Sequence, residues 1–374
     1  MVGTKRKMKI LQVINPLLPG GAERMVVDLA ARMRQAGHDV SVLTLRAERT
    51  PLWRELEARG VAVAALAQGL SNYHPLHAWR LMRAMRPYDV VHVHLFPAQY
   101  WGALAKWLSG YKGILVTTEH STFNIRCKYR LTTWLDRLMY RAYHAIIGVS
   151  EPTTAFMRAR VRGRVPVVTI ENGIDVQRVT QGACPRSALL PHLPPDAFVL
   201  MQVGRFRPEK NQAFTLRALT HLPPDVHGVF VGDGPCLESC RQLAVRLNLS
   251  GRAHFLGYRP DASACLAAAD VAVLPSTWES FGLSALEAMA RGVPVLAADV
   301  EGLAQVVGHA DLLFKTDSPA EFAKKVVTLR NHFEYRKNMS EFCRKRASVF
   351  DIVQTVDRHL ALYEDLRKRN EAEA

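Results

Sequence analysis

Cysteine is scarce in this chain: six residues, at 127, 184, 236, 240, 265 and 343, with no Cys-x-x-Cys spacing among them. That excludes a disulfide framework and a zinc ribbon, and it fits reduced thiols in a cytoplasmic protein. Long apolar runs are missing too, so no transmembrane helix is predicted. The start, Lys5 to Ile14, imitates a signal peptide, basic and then apolar. The apolar run is short and Asn15-Pro16 interrupts it, so it reads as a first core strand. No internal repeat or low-complexity segment is present. Acidic residues are scarce in one half only. Residues 1–195 hold 27 Lys and Arg against 12 Asp and Glu, whereas residues 196–374 hold 22 of each. The whole surplus of +15 therefore lies in the first half, which should favour an anionic partner.

What is present describes an ordinary globular chain, 48% hydrophobic and 22% charged, whose 374 residues suit two domains. Apolar runs of strand length alternate with segments of helical periodicity from Met8 onward. Strands are expected at 8–14, 40–45, 61–66, 89–95, 114–118, 145–149 and 167–170. Prolines 185, 191, 194 and 195 interrupt the pattern, and we place a linker at 186–196, between a domain over 1–185 and one over 197–349. The second series begins with a strand at 198–203 and ends with a helix from Asp351. Strands separated by helices predict parallel, doubly wound sheets, which bind ligands at the carboxyl ends of their strands.

The most informative stretch is Glu279-Ser-Phe-Gly-Leu-Ser-Ala-Leu-Glu287, followed by Ala290-Arg-Gly-Val-Pro294. A helix is expected to start near Gly282 and to stop at Gly292. The N–H groups of Phe281, Gly282 and Leu283 would then be free to meet an anion such as a phosphate. Glu279 and Glu287 can each accept hydroxyl hydrogen bonds from a sugar or ribose diol. The plainer reading is that Glu279 caps the helix and Glu287 faces solvent. Upstream, Arg205 and Lys210 in Gly204-Arg-Phe-Arg-Pro-Glu-Lys-Asn211 can clamp a diphosphate. The Gly232-Asp-Gly234 turn allows close backbone approach. In the first half, Gly20-Gly21 follows the first strand, short of a full Gly-x-Gly-x-x-Gly fingerprint, and is either a ligand-approach turn or a structural one. His120 ends another strand. His92 and His94 share a strand face, as a metal pair or as core or cleft packing. Two basic segments carrying aromatic residues, 74–86 and 123–144, could lie on an anionic membrane or be solvated faces over core. The second holds Phe123, Arg126, Lys128, Tyr129, Arg130, Trp134, Arg137, Leu138, Tyr140 and Arg141.

On these motifs, with Glu171-Asn-Gly-Ile-Asp175, the chain resembles a family 4 (group 1) retaining glycosyltransferase. The resemblance runs from Gly20-Gly21-Ala-Glu23 to the closing helix. It implies a GT-B fold: two Rossmann-like domains facing a cleft, with residues 350–374 returning to the N-terminal one. It implies that Arg205 and Lys210 hold the donor diphosphate and stabilise the leaving group. Glu287 would bind the ribose, and Glu279 the sugar hydroxyls. Phe281, Gly282 and Leu283 would meet sugar or phosphate, while Gly234 lines the nucleotide site. His120 would contact the donor sugar near its anomeric carbon, and Gly21 would lie beneath the phosphates or acceptor. No Asp-x-Asp occurs, which fits Arg and Lys in place of a bound metal, and no cofactor is expected. The implied reaction moves a sugar from a nucleotide-diphosphate sugar to a lipid-linked glycan or polysaccharide, in cell-surface glycan synthesis. A UDP-sugar is the first choice and GDP-mannose the next. Peripheral attachment to the inner face of the cytoplasmic membrane is a corollary. An epimerase or phosphorylase of the same fold, a nicotinamide-dependent dehydrogenase and a non-catalytic membrane- or nucleic-acid-binding protein are the rivals. The binding modules would explain the charge but not the acidic pair, so nucleic acid is not expected as a partner.

Overall fold

The computed structural model describes residues 6–122 and 130–373. Phe123, Arg126, Lys128 and Tyr129 of the basic segment lie outside them. The chain forms two compact units, one made of residues up to Gly173 together with those from Ile352, the other of Ile174–Asp351.

The first unit holds seven parallel strands: β1 (Lys9–Ile14), β2 (Asp39–Arg46), β3 (Ala62–Ala67), β4 (Val90–His94), β5 (Ile114–Glu119), β6 (Ala145–Gly148) and β7 (Val167–Thr169). Their order is β3-β2-β1-β4-β5-β6-β7. The order reverses between β1 and β4, which is where such sheets bind ligands. Residues 10–14 of β1 and all of β4 are buried, as expected for central strands covered by helices on both faces. The closing helix Ile352–Glu373 belongs to this unit, and Ile352, Val356, Leu360 and Tyr363 are its buried stripe.

The second unit holds β8 (Phe198–Val203), β9 (Val226–Val231), β10 (Ala253–Gly257), β11 (Val271–Leu274), β12 (Val295–Ala298) and β13 (Leu313–Phe314). Their order is β10-β9-β8-β11-β12-β13, all parallel, with the reversal between β8 and β11.

Two features differ from the sequence reading. The units divide at Gly173/Ile174, ahead of the proline-rich span, because residues 174–185 pack on the second unit. Ile174 N–H donates to the Phe350 carbonyl at 2.9 Å, and Arg291 grips the Gly182 and Gln181 carbonyls at 2.8 and 3.2 Å. A helix, Glu151–Val161, fills a stretch for which the periodicity predicts none. Its start was legible in principle: Ser150 caps it by accepting from Thr153 N–H, and Pro152 occupies the first turn.

Candidate active site

In the second unit, the loops after β8 and β11 leave the sheet side by side at the reversal point. The first carries Arg205 and Lys210, the second Glu279. Lys210 Nζ and Glu279 form a part-buried ion pair across 69 residues of sequence. Backbone bonds join the same loops: Thr277 N–H donates to the Glu209 carbonyl at 2.9 Å. The β9 loop is tied in likewise, with Phe206 N–H on the Asp233 carbonyl (2.9 Å) and Cys236 N–H on the Phe206 carbonyl (3.0 Å). A Cβ on Gly234, where φ is +152°, would lie 2.5 Å from the Phe206 carbonyl oxygen, so only glycine allows this approach.

Buried amides hold the β8 loop from below, a role the sequence reading did not assign. Gln202 donates to the Lys210 carbonyl at 2.8 Å and accepts from Thr215 Oγ1 at 2.9 Å. Gln212 donates to the Arg205 carbonyl at 3.0 Å. The signal was a glutamine at an inward position of an otherwise apolar strand. The Arg205 guanidinium is exposed and makes no hydrogen bond or ion pair among the described residues.

The helix Leu283–Ala290 starts where expected, with Gly282 at φ +93° as its N-cap and Gly292 at φ +75° past its end. No side chain caps it, so Glu279, committed to Lys210, is not a helix cap. The N–H groups of Phe281, Gly282 and Leu283 have no acceptor among the described residues. Phe281 is buried against Phe350, ring edge to face at 5.6 Å. Glu287 is half-buried within the field of Arg291, not on an open solvent face. The ensemble offers cations, uncapped amides and carboxylates at one sheet edge. Chemically it suits an anionic ligand that also carries hydroxyls.

The first unit presents something different. His92 and His94 of β4 are fully buried, His120 is half-buried just beyond β5, and His359 comes from the closing helix. His92 Nδ1 lies 2.6 Å from the Tyr363 hydroxyl and its Nε2 2.7 Å from Thr118 Oγ1. His94 Nε2 lies 2.7 Å from Gln12 Oε1, and its Nδ1 3.2 Å from His120 Nε2. Burial, then the neighbouring imidazoles, holds His92 and His94 well below the usual histidine range. The same causes push His120 down to about 3, and burial takes His359 to about 4. The strand pair is therefore core packing with hydrogen-bonded, neutral rings. Gly21 is exposed at the first position of the helix Gly21–Gln35, after β1. Gly20 is extended there (φ −170°), so the glycine pair is not demanded by backbone strain.

Among the described residues one group brings metal-type ligands together: Cys184, Asp261 and Cys265, with ligand atoms within 4.8 Å of one another. Arg259 already grips both Asp261 oxygens, at 2.8 and 2.7 Å, and the Cys184 thiol donates to that carboxylate at 3.2 Å. Burial pushes the Cys265 thiol up to about 11. The cluster reads as an ion pair with a thiol hydrogen-bonded to its carboxylate, tying the segment around Cys184 to the helix Ala262–Cys265.

Known proteins place the chain. Residues 19–178 match the model for "Glycosyltransferase Family 4" and residues 191–346 that for "Glycosyl transferases group 1". An Escherichia coli UDP-Gal:alpha-D-GlcNAc-diphosphoundecaprenol alpha-1,3-galactosyltransferase is 25% identical, over 98% of this chain and 99% of its own. A phosphatidyl-myo-inositol mannosyltransferase of Mycolicibacterium smegmatis is 30% identical, over 79% of this chain and 76% of its own. Anabaena HepE, solved with UDP-glucose, superposes with a TM-score of 0.83 at 25% identity, covering 96% of this chain and 99% of that one. With two parallel-sheet Rossmann-like units and these relatives, the chain belongs to the family 4, group 1 glycosyltransferases, enzymes of the GT-B fold.

Proposed function

We propose that the protein transfers a sugar from a UDP-sugar, with retention of anomeric configuration, to a lipid-linked diphosphate glycan. The observation that carries this reading is the Lys210–Glu279 pair beside the exposed Arg205 and the uncapped helix start. A donor diphosphate would draw Lys210 from Glu279, freeing that carboxylate for the sugar hydroxyls. Arg205 and Lys210 then stabilise the charge that develops on the departing nucleoside diphosphate. The amides of Phe281, Gly282 and Leu283 meet phosphate or sugar, Gly234 permits close approach of the nucleotide, and Glu287 takes the ribose diol. His120 receives a hydroxyl of the donor sugar, and Gly21 lies by the phosphates or acceptor. These positive groups do the work that a divalent cation does elsewhere, so activity should survive a chelator. Nucleophilic groups on the protein are not needed: front-face attack by the acceptor on an oxocarbenium-like sugar accounts for retention.

UDP is favoured because HepE is solved with UDP-glucose and the E. coli relative is named for UDP-Gal and a diphosphoundecaprenol acceptor. GDP-mannose is the next choice. A thermal-melt panel with UDP-, GDP- and ADP-sugars tests this. A ligand at 100 times its Kd adds about 2.7 kcal/mol of stability. A shift with UDP-sugars alone supports the reading, and a shift with GDP-mannose alone replaces the donor.

The acceptor reading extends to the membrane. No helix among the described residues is long and apolar enough to cross a bilayer. The first unit instead exposes Trp79, Trp107, Leu108 and Trp134 on the helices Leu76–Ala84, Ala98–Ser109 and Arg130–Tyr140. Amid the basic surplus of residues 1–195, these suit peripheral docking on anionic lipid. Flotation with anionic liposomes at rising salt checks it. Binding at low salt that fades as salt rises is expected, and no binding at low salt overturns it.

A further inference from the structure

We infer that a buried Gln12–His94 relay fixes the tautomer of His120, with the proton on Nε2 and the Nδ1 lone pair left bare to accept a substrate hydroxyl. Gln12 sits on β1 and His94 on β4, the two strands that meet at the reversal of the first sheet. Both are fully buried, so water does not rearrange their bonds.

The Gln12 amide sets the direction of every bond that follows. Its nitrogen lies 3.6 Å from Met33 Sδ. A thioether can only accept, so the amide nitrogen belongs there and the amide oxygen faces His94 Nε2, at 2.7 Å. An amide oxygen can only accept, so His94 carries its proton on Nε2. A neutral imidazole has one proton, which leaves His94 Nδ1 bare. That atom lies 3.2 Å from His120 Nε2, so His120 must be the donor. The proton of His120 is then committed to His94, and no described residue donates to its Nδ1. Burial keeps the rings neutral, which preserves the one-proton count.

A second chain runs beside the first. The Tyr363 hydroxyl lies 2.6 Å from His92 Nδ1, and Thr118 Oγ1 lies 2.7 Å from His92 Nε2. This chain packs beside the relay, with the His92 and His94 ring centroids 4.0 Å apart.

The consequence is chemical. His120 presents an acceptor, so it orients a hydroxyl and does not protonate a leaving group through Nδ1. Gln12 and His94 are positioning residues, which touch His120 and not the substrate. This rests on the reading of His120 as a donor-sugar contact, but its first test does not. Nitrogen-15 spectra of the full-length protein, labelled at histidine and assigned by the loss of signals in His120→Ala, read the tautomer directly. The expected result at neutral pH is a protonated-type Nε2 and an unprotonated-type Nδ1. A protonated Nδ1, or an imidazolium, overturns the relay whatever the activity.

His94→Asn retains an acceptor towards His120 and should keep its tautomer. His94→Leu, if folded, should let both tautomers appear. It should lower kcat by roughly two- to tenfold, the range of one neutral hydrogen bond, with the donor KM little changed. An unchanged tautomer in His94→Leu overturns the relay. A mixed tautomer with unchanged kcat upholds the relay and instead removes His120 from the sugar contact.

Discussion

The two strand-end regions are built on opposite electrostatic plans. In the second unit the groups at the sheet reversal are charged and only partly buried: Lys210 against Glu279, Arg205 in solvent. In the first unit they are uncharged imidazoles and amides, buried and hydrogen-bonded in sequence. A diphosphate needs mobile cations that can exchange partners, since its negative charge grows as it leaves. A neutral imidazole held by its neighbours adds an acceptor of fixed direction. Under the proposed function, exchangeable charges and hydroxyl-binding carboxylates come from the second unit, and the first adds a neutral acceptor at His120.

The largest effect should come from breaking the charged side. Lys210→Ala removes a charge-assisted contact worth about 1.5–3 kcal/mol, so donor affinity or turnover should fall roughly ten- to 150-fold. Steady-state kinetics with the cognate donor measure this, and a change below twofold would remove Lys210 from the site. Arg205→Ala should follow the same direction. Because its side chain is exposed and unpaired among the described residues, it should leave thermal stability unchanged, which separates binding from folding.

The second contrast is mechanical. Gly234→Ala puts a methyl group against the Phe206 carbonyl oxygen at a left-handed backbone position. The loop must move, and a loss of about 1–3 kcal/mol in unfolding free energy is expected, with weaker nucleotide binding. Gln202→Leu removes the support under Lys210 and leaves its carbonyl unbonded, at a cost of about 1–3 kcal/mol. Denaturant titration checks both.

The third contrast is in pH. His92, His94, His120 and His359 titrate below their ordinary value of 6.5 when folded. Between the folded and unfolded values the unfolded chain binds more protons, so their contribution to stability is complete above about 6.5 and is lost as pH falls below it. Melting temperature should therefore drop between pH 6.5 and 4. His359→Leu removes one such group, together with a buried Nε2 that has no partner among the described residues, and should flatten the drop slightly. A steeper drop would contradict the assignment.

Much of this contrast was legible in the sequence on one side only. The charged groups announced themselves as motifs, because Glu279, the glycine cap and Glu287 lie within a single loop and helix. The ion pair did not, since Lys210 and Glu279 meet only through adjacent strands. The imidazole cluster was still harder to see. His92 and His94 were visible as a pair on one strand, but Gln12, Thr118 and Tyr363 arrive from 26 to 271 residues away. The fold was readable because buried parallel strands are nearly continuous apolar runs. The unit boundary was not, because proline content marks where a chain turns and packing decides which unit owns the segment.

Under the proposed function, the charged loops of the second unit hold a UDP-sugar. Calorimetric titration of UDP into the wild type and into Glu287→Ala tests it most directly. We expect saturable one-to-one binding by the wild type, and affinity at least fivefold weaker in the variant, since one charged hydrogen bond to the ribose is worth about 1.5 kcal/mol or more. Binding of equal strength in both proteins, or saturable binding of GDP with none of UDP, would contradict it.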